Sequence, residues 1–220
     1  MRSFNSHALN TRDQIENTLI TLLNLGLARV TKNIKTNSSK NDMILTWDNH
    51  ISGRHNSGKS FNTIQQYVSI YETGAYHAIL HDGSILRAFF RFEKNMLTQQ
   101  SLLYWPAPVE MPEEDVETIG IRQALEENIC NNCSESHIQM RSPVRLDFDP
   151  ANSRIDHPET HIHMQHCDCR MKVKSPVCFN TFVKFIFKNF YPNIDLSFLK
   201  TLHPLHYSGH SRDEDYILTI

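Results

Sequence analysis

One dipeptide constrains this chain more than any other feature. Asp82-Gly83 stands between two apolar runs, Ala75–His81 and Ile85–Glu93. Both residues tolerate positive φ, so the pair suits the tight reversal of a β-hairpin. A second turn near Lys94-Asn95 leads into Gln99–Trp105, and Pro106 and Pro108 end the run because proline cannot donate to a ladder. Residues 75–105 therefore read as a three-strand antiparallel meander.

Helical periodicities flank it. Thr11-Arg12-Asp13-Gln14 fits a capping box with Thr11 as N-cap, and Ile15, Leu19, Leu22 and Leu23 follow at helical spacing up to Gly26. The spacing predicts an amphipathic helix over 12–25. Residues 31–42 are polar and read as a loop, and residues 43–47 as a short strand. The acidic stretch 110–128 predicts a helix with Val116, Ile119, Ala124 and Leu125 on its apolar side. Val144–Asp149, closed by Pro150, and His161–Met164 read as further strands. After Pro176, Phe179, Phe182, Val183, Ile186 and Phe190 recur at helical spacing until Pro192, with Lys184 and Lys188 on the other side. There is no internal repeat and no alternating βαβ pattern. The expected architecture is α+β: an antiparallel meander sheet flanked by an N-terminal helix and a C-terminal Phe-rich helix. We expect a single domain over 1–220, with a helical part and loop over 1–60.

Of the 220 residues 40% are hydrophobic, twelve of them Phe, which is enough for a real core. No stretch approaches the ~20 apolar residues of a membrane span. The first ten residues lack the apolar region of an export signal, so a cytoplasmic location is expected. The net charge of −2 hides an uneven distribution. Glu110, Glu113, Glu114, Asp115, Glu117, Glu126 and Glu127 face a single Arg122, whereas Arg141 to Lys200 leans basic.

The chemistry-bearing residues lie between Arg145 and Arg170. Alternate residues of a strand share a face, so Arg145, Asp147 and Asp149 point together while Leu146 and Phe148 enter the core. The arginine keeps the carboxylates ionised, and two carboxylates can bind a divalent cation. A solvated ion-paired face is the plainer reading. His161 and His163 alternate around Ile162, within a run that also holds His157 and His166. Paired imidazoles can ligate a metal or share proton transfer on a phosphodiester. Cys130-x-x-Cys133 and Cys167-x-Cys169 are two close thiol pairs that suit a structural zinc, with scattered thiols as the alternative. Gly53-Arg54-His55-Asn56-Ser57-Gly58-Lys59-Ser60 fits the phosphate-loop pattern, but polar residues precede it and an antiparallel meander follows, so a basic loop is the better reading.

Arg141-Ser142-Pro143-Val144-Arg145-Leu146-Asp147-Phe148-Asp149-Pro150, His157-Pro158-x-x-His161-Ile162-His163, Cys169-Arg170, Pro176 and the Phe179 helix together resemble an uncharacterised bacterial family, domain of unknown function two-two-nine-zero. Asp82-Gly83-Ser84 and Leu103-Tyr104-Trp105-Pro106-Ala107-Pro108 match its first half, so the family core runs over 64–220. The resemblance implies a place in anti-phage defence loci beside a helicase, the implied partner. It carries over no catalytic residues. The order of parts also resembles small toxins of toxin–antitoxin pairs.

Three functions follow as expectations. The first is a nuclease-like effector on DNA or RNA, using His161, His163, Asp147, Asp149, Arg145 and Arg170, with or without a divalent metal, and holding the backbone through Lys172, Lys174, Lys184 and Lys188. The second is a non-catalytic subunit that binds the helicase, or senses and regulates. The third is an RNA-targeting toxin.

Overall fold

A computed structural model describes residues 6–50, 63–131, 141–164 and 168–207. Among these residues four α-helices, α1 (Ser6–Asn24), α2 (Ile64–Thr73), α3 (Glu113–Asn131) and α4 (Phe179–Phe190), accompany one nine-stranded sheet. Its strands are β1 (Ala28–Thr31), β2 (Lys35–Ser38), β3 (Asp42–Thr46), β4 (Ala78–Leu80), β5 (Ile85–Glu93), β6 (Met96–Trp105), β7 (Val144–Phe148), β8 (Thr160–Met164) and β9 (Met171–Lys172). The main order is β1-β4-β5-β6-β7-β8-β9, with β3 also pairing β5 and carrying β2 on its outer edge. Every pairing is antiparallel. The expected α+β architecture is therefore present, with its N-terminal and Phe-rich C-terminal helices.

The meander forms as its turns demand. Gly83 has φ 84°, and Tyr67 donates its hydroxyl to the Gly83 carbonyl at 2.6 Å, pinning the β4–β5 turn. Lys94 and Asn95 both have positive φ, as a two-residue hairpin requires. Asn95 also explains why α1 starts six residues earlier than the periodicity predicts. Its side-chain oxygen accepts from the His7 backbone N–H at 2.8 Å, so a turn far along the chain caps the helix. Thr11 is consequently inside α1, not its N-cap, and donates its hydroxyl to the His7 carbonyl.

Two further readings are corrected, and one helix without a sequence expectation is added. The polar run 31–42 contains β2, an exposed edge strand that pairs β3 from Lys35↔Thr46 to Ser38↔Met43. Helix α2 carries a complete capping box of Thr63 and Gln66 and closes on Gly74 at φ 68°. The acidic helix breaks at Gly120 (φ 81°), which resets its phase, so Ile121 joins Val116, Ala124 and Leu125 in the core and Ile119 is only partly buried.

The alternation of the strands divides the sheet into two faces. Leu86, Ala88, Phe90, Leu102, Tyr104, Val144, Leu146, Phe148 and Ile162 form one, packed under α1 and α4. On the other, Ile85, Leu103 and Trp105 are covered by Tyr67 and Ile70 of α2 and by α3. Beyond that cover, towards β7 and β8, the second face turns polar. No described helix is long and apolar enough to cross a membrane.

Candidate functional site

The polar half of the second face is built by register. Ser101, Asp147, His161 and Lys172 are successive partners across β6, β7, β8 and β9. One step along, Arg87, Leu103, Arg145 and His163 form the adjoining row across β5 to β8. Continuing the β8–β9 register by one residue puts Arg170 opposite His163. Because side chains repeat every second residue, both rows face the same way.

Asp147 is the hub. Its Oδ1 accepts the Ser101 hydroxyl at 2.8 Å, and its Oδ2 lies 2.6 Å from Arg145 Nε, 3.5 Å from His163 Nε2 and 3.9 Å from His161 Nε2. Burial works against its charge, but Arg145, the hydrogen bond from His163 and the two imidazoles win, so the carboxyl is held well below the usual carboxylate range. The two imidazole Nε2 atoms are 3.0 Å apart. His161 Nδ1 contacts the Pro158 carbonyl at 2.6 Å. A carbonyl only accepts, so Nδ1 carries the proton and Nε2 presents a lone pair to the cluster. Burial brings the His161 pKa down to about 4, offsetting the pull of Asp147, and keeps the ring neutral at pH 7. His157 packs edge-on against His161 with ring centroids 4.6 Å apart.

Arg87 borders this cluster from β5. It is 3% exposed, with its guanidinium carbon 4.4 Å from the Trp47 ring centre. Burial first, then the like charge of Arg145, push its pKa down to about 9. Neither Arg87 nor Ser101 is among the residues expected from sequence. A charged residue inside the apolar run ILRAFFRFE was the one available signal for Arg87; nothing local marks Ser101.

The other expected residues divide. Arg145, Asp147, His161 and His163 meet as strand alternation predicts. Asp149 does not join them: β7 ends at Phe148, and the Asp149 carboxylate instead accepts from the Asn152 side chain at 2.7 Å over a 3₁₀ turn, Pro150–Asn152. Arg170 lies 3.8 Å from Asp168, and its buried Nε has no hydrogen-bond partner among the described residues. Lys172 is half-buried in the row of His161, and Lys174 is exposed beyond it. Lys184 and Lys188 ride on α4, whose apolar side packs on the opposite sheet face, so they lie across the sheet from the cluster. Of the four cysteines considered for zinc, Cys133, Cys167 and the Cys130 side chain are outside the described residues, and Cys169 is a free thiol. The phosphate-loop match at 53–60 is also outside them.

No curated protein and no solved structure matches the chain. A family profile does, over residues 27–213, which takes in every strand of the sheet and the whole Asp147 cluster. By that match the chain belongs to the family described as "Uncharacterized conserved protein (DUF2290)".

Proposed function

We propose that this protein cleaves phosphodiester bonds in nucleic acid, as the effector of an anti-phage system that works with a helicase. One observation carries the reading: two imidazoles and an arginine converge on Oδ2 of the ionised Asp147 carboxylate, all within 3.9 Å of it. Water is activated at the imidazole–carboxylate cluster. Its oxygen bonds phosphorus and its proton passes to the bare His161 Nε2 as the P–O bond to the leaving oxygen breaks, and the leaving oxygen takes up a proton. Arg145, with Arg87 beside it, bears on the charge that gathers on the phosphoryl oxygens. Lys172 of β9 adjoins the cluster, and it suits the flanking phosphates together with Lys174, two residues on. The defence setting and the helicase rest on the family resemblance alone.

The test is cleavage of single- and double-stranded DNA and RNA by the wild type and by His161→Ala/His163→Ala, with and without divalent metal and with the helicase present. Loss of cleavage in the double variant is expected. Equal activity in both proteins, or none under any condition, overturns the reading.

A second reading has its own support. His161 is only 1% exposed, which suits a polar network that shapes a helicase-binding or sensing subunit. A helicase complex that stays fully active with both histidines replaced favours it.

A further inference from the structure

We propose that Asp147 Oδ2, His161 Nε2 and His163 Nε2 are a three-ligand seat for a divalent transition-metal ion of the zinc type, with its remaining coordination positions open. The inference rests on the cleavage reading and gives it a means of activating water.

The geometry of the three atoms carries it. They form a triangle with edges of 3.0, 3.5 and 3.9 Å. A point equidistant from such corners lies about 2.0 Å from each, and a point just off their plane about 2.1 Å, which is the bond length of zinc to imidazole nitrogen or carboxylate oxygen. Two of the three electron pairs are already aimed, and His163, whose Nε2–H is shared with His161 Nε2, would give up that proton to the ion. The Pro158 carbonyl fixes the His161 proton on Nδ1, so Nε2 is bare. Ser101 occupies Oδ1 and orients the carboxylate. Arg145 Nε lies 2.6 Å from the same Oδ2 and neutralises the carboxylate. The point at which both Nε2 atoms and the carboxylate oxygen meet holds the His163 proton in the metal-free protein, and a cation would take that proton's place.

Donor type selects the ion. Two of the three donors are imidazole nitrogens, which suit zinc, cobalt or iron and disfavour calcium and magnesium. Three protein ligands with an open position is the arrangement of hydrolytic zinc sites, whereas structural zinc is closed by four. The charges of Asp147 and Arg145 cancel, so the ion would hold its own charge uncompensated. The open positions therefore favour an anion, namely hydroxide or a phosphoryl oxygen, and a bound ion lowers the pKa of its water towards neutrality.

The full-length protein is loaded with ZnCl2, dialysed into metal-free buffer and assayed by plasma mass spectrometry. CoCl2 serves as a visible probe of coordination. We expect about one zinc retained per chain and the absorption bands of low-coordinate cobalt. Asp147→Asn, which preserves shape and the Ser101 contact, and His163→Ala should each weaken zinc binding at least about tenfold. Replacement of the exposed His206 by alanine (H206A) should leave it unchanged and controls for adventitious binding by surface histidines. Circular dichroism confirms that the variants are folded; if His163→Ala is not, Asp147→Asn decides. No zinc retained by the wild type, or equal retention in Asp147→Asn, overturns the seat. Zinc retained without cleavage of any nucleic acid removes the cleavage reading and leaves the seat. Cleavage that persists in chelator, with no zinc retained, removes the seat and leaves cleavage.

Discussion

The two faces of the sheet are built from the same strands and obey different physics. On β7, Leu146 and Phe148 point one way into an apolar layer with Phe182, Val183 and Ile186 of α4, while Arg145 and Asp147 point the other way into the polar cluster. The apolar face gains stability from area removed from water and from close packing. The polar face gains little net stability, because desolvating charges offsets most of their attraction. Its worth lies in the aim of its groups. A residue's contribution should therefore depend on which way its strand turns it, and each expectation below can break that contrast.

The largest effect belongs to the apolar face. Phe148 is fully buried in the apolar layer, so Phe148→Ala should cost about 4 kcal/mol through lost transfer energy and a cavity. Urea denaturation reads it. A loss below about 1 kcal/mol would mean that the layer under α4 is not the main core.

Next comes a group in the plane of the sheet, between the faces. Strand β5 pairs β4 at Ile85 and Leu86 and pairs β3 from Phe90 onward. At the junction the His77 ring replaces a ladder partner: Nδ1 accepts from the Ala88 N–H at 3.1 Å, and Nε2 donates to the Thr46 carbonyl at 3.1 Å. Only the neutral ring can accept at Nδ1. Burial lowers the His77 pKa to about 4, against an ordinary 6.5. The unfolded chain therefore binds a proton in this window that the folded chain refuses. The stability is fully present above pH 6.5 and is lost as pH falls from about 6.5 to 4, by about 3 kcal/mol for this ring. His161, whose folded pKa is also about 4, adds a term of the same sign. Urea midpoints at pH 7 and pH 4.5 test this, with His77→Gln expected to flatten the slope. A stability independent of pH over that range would sink the junction role.

The polar face should respond to pairing and not to volume. Asp147→Ala removes the carboxylate beside Arg145, and should cost about 2 kcal/mol, less than breaking a fully buried pair because the side chains remain 15% and 12% exposed. Replacing both partners with apolar residues, as Asp147→Leu/Arg145→Met, should recover most of that loss while abolishing the proposed cleavage. A double variant less stable than Asp147→Ala would show that the cluster is a structural keystone, and the contrast between the faces would fail.

How far the sequence reveals this arrangement follows the range of the interactions. The Asp82-Gly83 and Lys94-Asn95 turns and the Phe179–Phe190 periodicity are local signals, and they lead to the meander and α4. Strand alternation alone puts Arg145 with Asp147 and His161 with His163. It cannot tell that β7 stops at Phe148, so Asp149 is assigned one place too far. Nor can it bring Ser101 to Asp147 or Arg87 to Arg145, since those meetings depend on the β5–β6 and β6–β7 registers. Thr11 fails as a cap for the same reason: Asn95, far away in the chain, supplies the cap first. Strand β2 escapes notice because an exposed edge strand needs no apolar face.

The smallest expected effect tests whether the two covers of the sheet unfold together. The Thr63 hydroxyl caps α2 by accepting from the Gln66 N–H, and the Gln66 side chain accepts from the Thr63 N–H in return. Thr63→Ala should cost about 1 kcal/mol. Helix α2 covers the second face, but Tyr67 reaches from it to the Gly83 carbonyl in the turn that feeds β5, the strand shared by both faces. The loss should therefore appear in global unfolding, as a lower urea midpoint with unchanged slope. If the midpoint stays fixed while amide exchange quickens within 64–73 alone, α2 opens by itself. Helix α2 would then be a separable cover over Ile85, Leu103 and Trp105, one that opens without disturbing the core beneath α1 and α4.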